Sequence, residues 1–180
     1  RSIFIQRFTR LFYLKKFKKK DLTTLSNIIA SRRDVRGNNF INKKISNKKL
    51  NIILNSALHA PSVGYSQPWH FILVNKEKRD LVYDHFSKSF EKSKDKFLDK
   101  PLYNSLKLEG IKESNINIAV YYKKSSSNVL GQTYMKRTGE YSVVCAILNM
   151  WLTARALNIG MGWVSILKPK KINKIFDIDK

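Results

Sequence analysis

The sequence predicts an α+β domain. Three observations carry this: apolar residues recur at helical spacing in four segments, three short apolar runs read as strands, and the two mix without regular strand–helix–strand alternation.

Leu22, Leu25, Ile28 and Ile29 trace one face of a first helix, with Asp21 placed to cap it. Ser46 opens a second helix, in which Leu50, Ile53, Leu54, Ala57 and Leu58 share a face and which Pro61 ends. Phe71-Ile72-Leu73-Val74 reads as a buried strand. A charged amphipathic helix over 77–98 carries Leu81, Val82, Phe86 and Phe90, and Pro101 breaks it. Residues 116–122 form a strand and Ser125-Ser126-Ser127-Asn128 a loop. Residues 140–157 form the most apolar helix, which should be buried on every side by the sheet and by a second subunit. Gly160 is placed to end it, and Met161–Leu167 is the next strand. No internal repeat or interdomain linker interrupts residues 21–180.

The 180 residues, 43% of them hydrophobic, suffice to bury a core. A single cysteine, Cys145, cannot form an internal disulfide, and three scattered histidines (His59, His70, His85) make no zinc signature. A reducing, cytoplasmic setting is expected. No run reaches the ~18 apolar residues of a membrane span.

The net charge of +22, from 35 basic and 13 acidic residues, invites a nucleic-acid reading. The excess is mostly lysine spread along the chain, and no zinc-finger spacing or RNA-binding aromatic signature accompanies it. Neither nucleic acid nor membrane is therefore expected as a partner. Residues 1–20 are basic, with Phe4, Phe8, Leu11, Phe12 and Phe17 at loosely helical spacing. A targeting peptide or membrane-surface helix has this pattern too, but no small-residue cleavage site follows, so a solvated extension or a helix that packs on a partner subunit is the favoured reading.

Several residues can carry chemistry. Arg32, Arg33 and Arg36 crowd one loop, where three guanidinium groups can hold a phosphate; alone, such a loop is more often a solvated basic turn. Asp34 sits among them, either as their ion-pair partner or as a base near a ligand. In Pro61–Trp69, Gly64 permits close backbone approach while Ser62 and Gln67 offer hydrogen bonds. Gly160-Met161-Gly162 precedes a strand and lacks a third glycine, which excludes a dinucleotide fingerprint. Ser165 has no base beside it in sequence, Cys145 reads as a buried, inert thiol, and Trp163 reads as core.

In order, these segments resemble a known family. Arg32-Arg33-Asp34-Val35-Arg36, Ala60–Gly64 and Gln67-Pro68-Trp69 resemble the flavin-binding front half of the nitroreductase superfamily. Ser105–Ile111, Val129–Thr133, Tyr141–Ala146 and Gly162–Ile166 are similar to the BluB family, the 5,6-dimethylbenzimidazole synthases. Asp34 stands where many nitroreductases have Ser, and Gly64-Tyr65-Ser66 where they commonly have Asn; both fit the BluB pattern. The likeness spans about residues 20–170.

The resemblance implies a nitroreductase-like fold, with a central, mostly antiparallel sheet flanked by helices and FMN at a homodimer interface. It implies that reduced FMN is substrate rather than resident cofactor. With O2 as co-substrate, and with no metal, FMN is fragmented and contracted to 5,6-dimethylbenzimidazole, the lower ligand of vitamin B12, and erythrose 4-phosphate. A separate flavin reductase would supply the reduced FMN. Arg32, Arg33 and Arg36 would hold its phosphate and ribityl oxygens, and Val35 would line that loop. Ser62 would contact flavin from the partner subunit, and Leu106 would lie in a lid over the ring. Asp34 and Ser165 match the two positions that carry the chemistry. Family members continue past Lys180 with a strand and a basic segment, so the C-terminal part of the domain is expected to be missing here.

Three other readings stand beside this one; one is a degenerate, non-catalytic fragment whose missing C-terminal segment prevents dimerisation. An ordinary FMN-dependent NAD(P)H nitroreductase or flavin reductase would conserve its flavin. A basic, non-enzymatic binding protein would bind DNA or anionic lipid in a salt-dependent way and take up no flavin.

Overall fold

A computed structural model of the chain describes residues 16–41, 43–94 and 109–178. They belong to two units, Arg1–Arg32 and Arg33–Lys180. Of the basic N-terminal stretch, residues 1–15 lie outside the described residues, as do Leu106 and Pro101.

In the first unit, helix α1 (Lys19–Ser31) starts earlier than its apolar face suggests. Asp21 is not the N-cap residue; it sits in the first turn, and its carboxylate accepts the N–H of Lys18 at 2.8 Å. A carboxylate there still satisfies an end group of the helix and complements its dipole.

The second unit is built around two packed helices. Helix α2 (Asn47–Ala57) starts where Ser46 predicts, the Ser46 hydroxyl accepting the Lys49 N–H at 3.4 Å. It stops at Ala57, and a turn closes before Pro61. Helix α4 (Thr138–Ala156) packs across it. Small residues meet at the contact: Ala57 and Ala60 face Ala146, Met150 and Ala154, with Ile53 completing the cluster. The close approach is pinned by Asn149, whose Nδ2 donates to the Ser56 carbonyl at 3.2 Å.

Strands β1 (Trp69–Leu73) and β2 (Ile118–Tyr122) pair antiparallel, with Trp69 opposite Tyr122 and Leu73 opposite Ile118. Trp69, Phe71 and Ile118 turn toward the α2–α4 cluster. The expected buried strand is therefore half-buried: it begins two residues earlier, and Leu73 is 53% exposed. Helix α3 (Lys76–Lys94) connects the strands and buries Phe86, Ser89 and Phe90. Leu81, expected on that face, is exposed. A short helix α5 (Pro169–Ile175), unforeseen in the sequence, lies on α3, where Lys78 and Asp177 pair at 2.8 Å.

Two further expectations are corrected. Helix α4 is not buried on every side: Tyr141, Val144 and Leu148 remain about half exposed along one face. Met161–Leu167 is not a strand. Only Met161 forms a bridge, parallel to Asp34; beyond it the Trp163 and Lys168 N–H groups find side-chain acceptors, and the Leu167 N–H turns back to the Ser165 carbonyl at 2.8 Å. Without a neighbouring strand to complete a ladder, an apolar run does not become a strand.

Candidate functional site

The site is organised by the end of α4. Gly160 does not stop this helix; Asn158, at φ +57°, does. Its N–H donates to the Arg155 carbonyl at 3.0 Å and that of Ile159 to the Ala154 carbonyl at 2.9 Å, the paired bonds of a Schellman turn. Gly160 and Gly162 serve close packing instead. A Cβ on Gly160 would meet the Val35 side chain at 3.0–3.2 Å, and one on Gly162 would meet the Val35 carbonyl oxygen at 2.7 Å. Two glycines thus let residues 160–163 lie directly on the loop that carries Asp34.

At this junction the Val35 N–H donates to the Met161 carbonyl at 3.1 Å. Asp34 completes it: Oδ1 accepts the Trp163 N–H at 2.9 Å and Oδ2 pairs with Arg36 at 2.6 Å. Asp34 is therefore the ion-pair partner of Arg36, and its other oxygen ties the loop to the segment bearing Ser165. Its side chain stays about one-third exposed, so water or a ligand can reach it. Trp163 is not core; it is 43% exposed and tilts against Trp151, ring centroids 6.3 Å apart.

Ser165 lies two residues beyond this bond and is exposed. With Ser89, Lys92, Ser93 and Lys168 it borders a cavity of about 330 Å³. Arg33 is exposed on the Asp34 loop. Arg32 ends the first unit as the cap residue of α1, its N–H donating to the Ile28 carbonyl at 3.1 Å. The arginine loop is held from behind by Gly37, where a Cβ would meet the Gly110 nitrogen at 2.5 Å and Glu109 Cβ at 2.8 Å. The segment containing Leu106 thus re-enters the described residues directly against that loop, while Leu106 itself lies outside them.

Ser62 belongs to a second cluster, at the N-terminal end of α4. Its hydroxyl accepts the Gln67 N–H at 3.2 Å, closing a loop in which Gly64, Tyr65 and Gln67 all have positive φ. Three non-contiguous motifs converge here. The Val63 N–H donates to the Ser142 hydroxyl at 3.1 Å, and a Cβ on Gly64 would strike Val129 and Leu130 at 2.8 Å. Cys145, expected buried, is half-buried and borders a shallow cavity of about 260 Å³ with Pro61, Ser62 and Tyr141. Tyr65, Leu130 and Tyr134, from the same loops, stand more than three-quarters exposed.

Two contacts central to this geometry were not legible as functional. Trp163 contributes a backbone N–H, which no residue type announces. His85, on α3, accepts the Lys168 N–H through Nε2 at 2.9 Å; only its spacing from Ser89, one helical turn on, hints at a buried polar pair.

Comparison with known proteins places this arrangement. The Nitroreductase family model matches residues 29–180. The fold is similar to that of a Bacteroides fragilis nitroreductase with bound FMN, at TM-score 0.62 and 25% identity, covering 85% of this chain and 78% of that one. It is similar in fold also to a BluB-like flavoprotein from Clostridium difficile, at TM-score 0.63 and 18% identity, covering 86% and 79%. The chain belongs to the nitroreductase family.

Sequence relatives narrow this further. A 5,6-dimethylbenzimidazole synthase of Rhodospirillum rubrum is 37% identical over 152 residues, 82% of this chain and 71% of the relative. One from Rhodobacter capsulatus is 30% identical over 166 residues, 89% and 79%. Within its superfamily the chain belongs with the 5,6-dimethylbenzimidazole synthases.

The donor set fits FMN. The guanidinium groups of Arg33 and Arg36 suit a dianionic phosphate, and the Asp34 pair engages only part of the five-donor fork of Arg36. An accessible carboxylate and the Ser165 hydroxyl are groups of the kind that would serve a heterocycle as proton acceptor and polar contact.

Proposed function

We propose that the chain is a 5,6-dimethylbenzimidazole synthase, an oxidoreductase that consumes reduced FMN and O2 and releases 5,6-dimethylbenzimidazole and erythrose 4-phosphate. The observation that carries this reading is the Asp34 junction: a partly accessible carboxylate, tied to the segment bearing Ser165, in a chain 37% identical to a protein of that name. Reduced flavin supplies the electrons for reaction with O2. Arg33 and Arg36 bind the phosphate, with Arg32, the preceding residue, assigned to the same role by resemblance. Val35 holds the loop against Gly160 and Gly162. Asp34 takes a proton from the ribityl carbon attached to the ring. Ser165 orients a flavin carbonyl through its hydroxyl. Leu106 covers the ring and excludes water.

Residues 21–180 form the FMN domain in this reading and 1–20 a basic extension. The active species is a homodimer in which Ser62 reaches the flavin of the other subunit. The half-exposed face of Tyr141, Val144 and Leu148 supports this, because contiguous apolar surface on a helix is normally covered. A separate flavin reductase delivers reduced FMN in the cytoplasm. Among the described residues no helix is long and apolar enough to cross a membrane.

The test is one incubation of purified protein with chemically reduced FMN in air, followed by mass analysis of small molecules. Loss of flavin with appearance of 5,6-dimethylbenzimidazole is the expected result. Recovery of intact FMN, with steady NAD(P)H oxidation when that donor is added, would instead establish a conventional nitroreductase or flavin reductase.

A further inference from the structure

Among the described residues no strand pairs with residues 163–168, and two side chains accept backbone N–H groups at the ends of this segment. At one end the Asp34 carboxylate accepts the Trp163 N–H at 2.9 Å. At the other, His85 Nε2 accepts the Lys168 N–H at 2.9 Å. Ser165 lies between these anchors, two residues from one and three from the other. Pro169 follows immediately and restricts Lys168 to the extended conformation it adopts, ψ 114°, so fixing the Lys168 amide also fixes the entry into α5.

We propose that neutral His85 is a positioning residue for the Ser165 segment, acting through the Lys168 backbone amide. The inference rests on the reading that Ser165 serves the reaction. It follows from the donor–acceptor inventory: an imidazole nitrogen accepts a hydrogen bond only while unprotonated, so protonation releases the anchor.

The surroundings support the neutral form. Lys88 on α3, and Lys168 and Lys171 at the facing start of α5, surround the ring with positive charge. Partial burial, and then these lysines, hold the imidazole pKa below its ordinary value. The Ser89 hydroxyl, 3.4 Å from Nε2 and itself buried, steadies the ring from one helical turn away. No rung of this arrangement requires His85 to touch a ligand. It acts on the reaction only by deciding where residues 163–167 lie.

The test begins without flavin. In the ligand-free protein, the protection factor of the Lys168 amide against hydrogen exchange is followed from about pH 8 to about pH 5. It should fall at least about tenfold as His85 protonates, an anchored amide becoming an open one. In His85→Gln, whose side-chain oxygen can accept the same bond without titrating, protection should be retained and independent of pH. Protection that is equal in wild type, His85→Ala and His85→Gln across the range would overturn the proposal.

Turnover of reduced FMN provides the second arm. His85→Ala should lower kcat by about tenfold or more with FMN binding little changed, as expected for a displaced group in the site. His85→Gln should restore the rate and shift the wild-type decline on the acid side to lower pH. A wild-type acid decline that persists unchanged in His85→Gln would overturn it. Inactivity of the wild type toward reduced FMN would sink the functional reading alone, because the amide measurement needs no turnover.

Discussion

Asp34 joins two stretches of chain 129 residues apart: its Oδ1 accepts the Trp163 N–H at 2.9 Å while Oδ2 holds Arg36 at 2.6 Å. The residue proposed as the base is thus also the clamp that brings the Ser165 segment to the arginine loop, and the two roles can be separated by substitution. Asp34→Asn keeps an oxygen for the Trp163 amide and loses only the exposed ion pair, so unfolding free energy should change by less than about 1 kcal/mol. Loss of the base should cost about 10²-fold or more in product formation. Asp34→Ala removes the acceptor as well and should destabilise by a further ~1 kcal/mol. Denaturant unfolding and product yield, measured on both variants, decide it. Full activity in Asp34→Asn would eliminate the base.

The glycines that admit this contact make a second prediction. A Cβ at Gly162 would sit 2.7 Å from the Val35 carbonyl oxygen and 3.3 Å from Asp34 Oδ1, both on one short loop. Gly162→Ala must therefore push residues 162–163 off the arginine loop, at a cost of about 1–3 kcal/mol. Gly160→Ala meets only the Val35 side chain, at 3.0–3.2 Å, and should cost less. FMN affinity, read by fluorescence quenching, should fall further in Gly162→Ala than in Gly160→Ala. Equal affinities would show that the junction does not shape the flavin site.

Much of this architecture was legible because it rests on local signals. Ser46 and the Leu50–Leu58 face define α2, since a cap and a 3.6-residue period are both written within one segment. The site loops were legible through the resemblance carried by the arginine, Pro61–Trp69 and Gly162–Ile166 motifs. What escaped depends on partners distant in sequence. Gly160 looked like a helix stop because glycine usually tolerates positive φ best; Asn158 took that role and Gly160 was needed for packing on Val35. Met161–Leu167 has strand composition, but a strand exists only if a neighbour supplies its hydrogen bonds. Here a carboxylate and an imidazole accept the N–H groups of Trp163 and Lys168, and neither can be paired with a backbone amide by reading residues in order.

The exposed face of α4 yields a prediction about assembly. Tyr141, Val144 and Leu148 are about half exposed in the single chain, one helical face of a helix that is otherwise apolar. Leu148→Glu places a charge in the proposed subunit interface, where burial without a partner is strongly unfavourable. Light scattering should then report a monomer where the wild type gives a dimer. FMN binding should weaken in the same variant if Ser62 serves the flavin of the other subunit. A Leu148→Glu dimer of undiminished affinity would place the interface elsewhere.

The His85 anchor also predicts how stability responds to acid. The imidazole pKa lies below 6.5 in the folded chain, chiefly through burial and then through Lys168, Lys171 and Lys88. Between the folded and unfolded values the unfolded chain binds more protons, so stability at this site rises with pH. Its contribution is fully present above the ordinary value of 6.5 and is lost as pH falls through the lowered one. Carboxylates titrate in the same direction at lower pH, so wild type alone cannot isolate the term. The comparison with His85→Gln does, because glutamine accepts the Lys168 N–H without ever gaining a proton. The urea midpoint of the wild type should drop more than that of His85→Gln between about pH 7.5 and about pH 5.5. Parallel midpoints over that interval would mean that His85 protonates as freely in the folded chain as in the unfolded one, and that the Lys168 amide is held by something else.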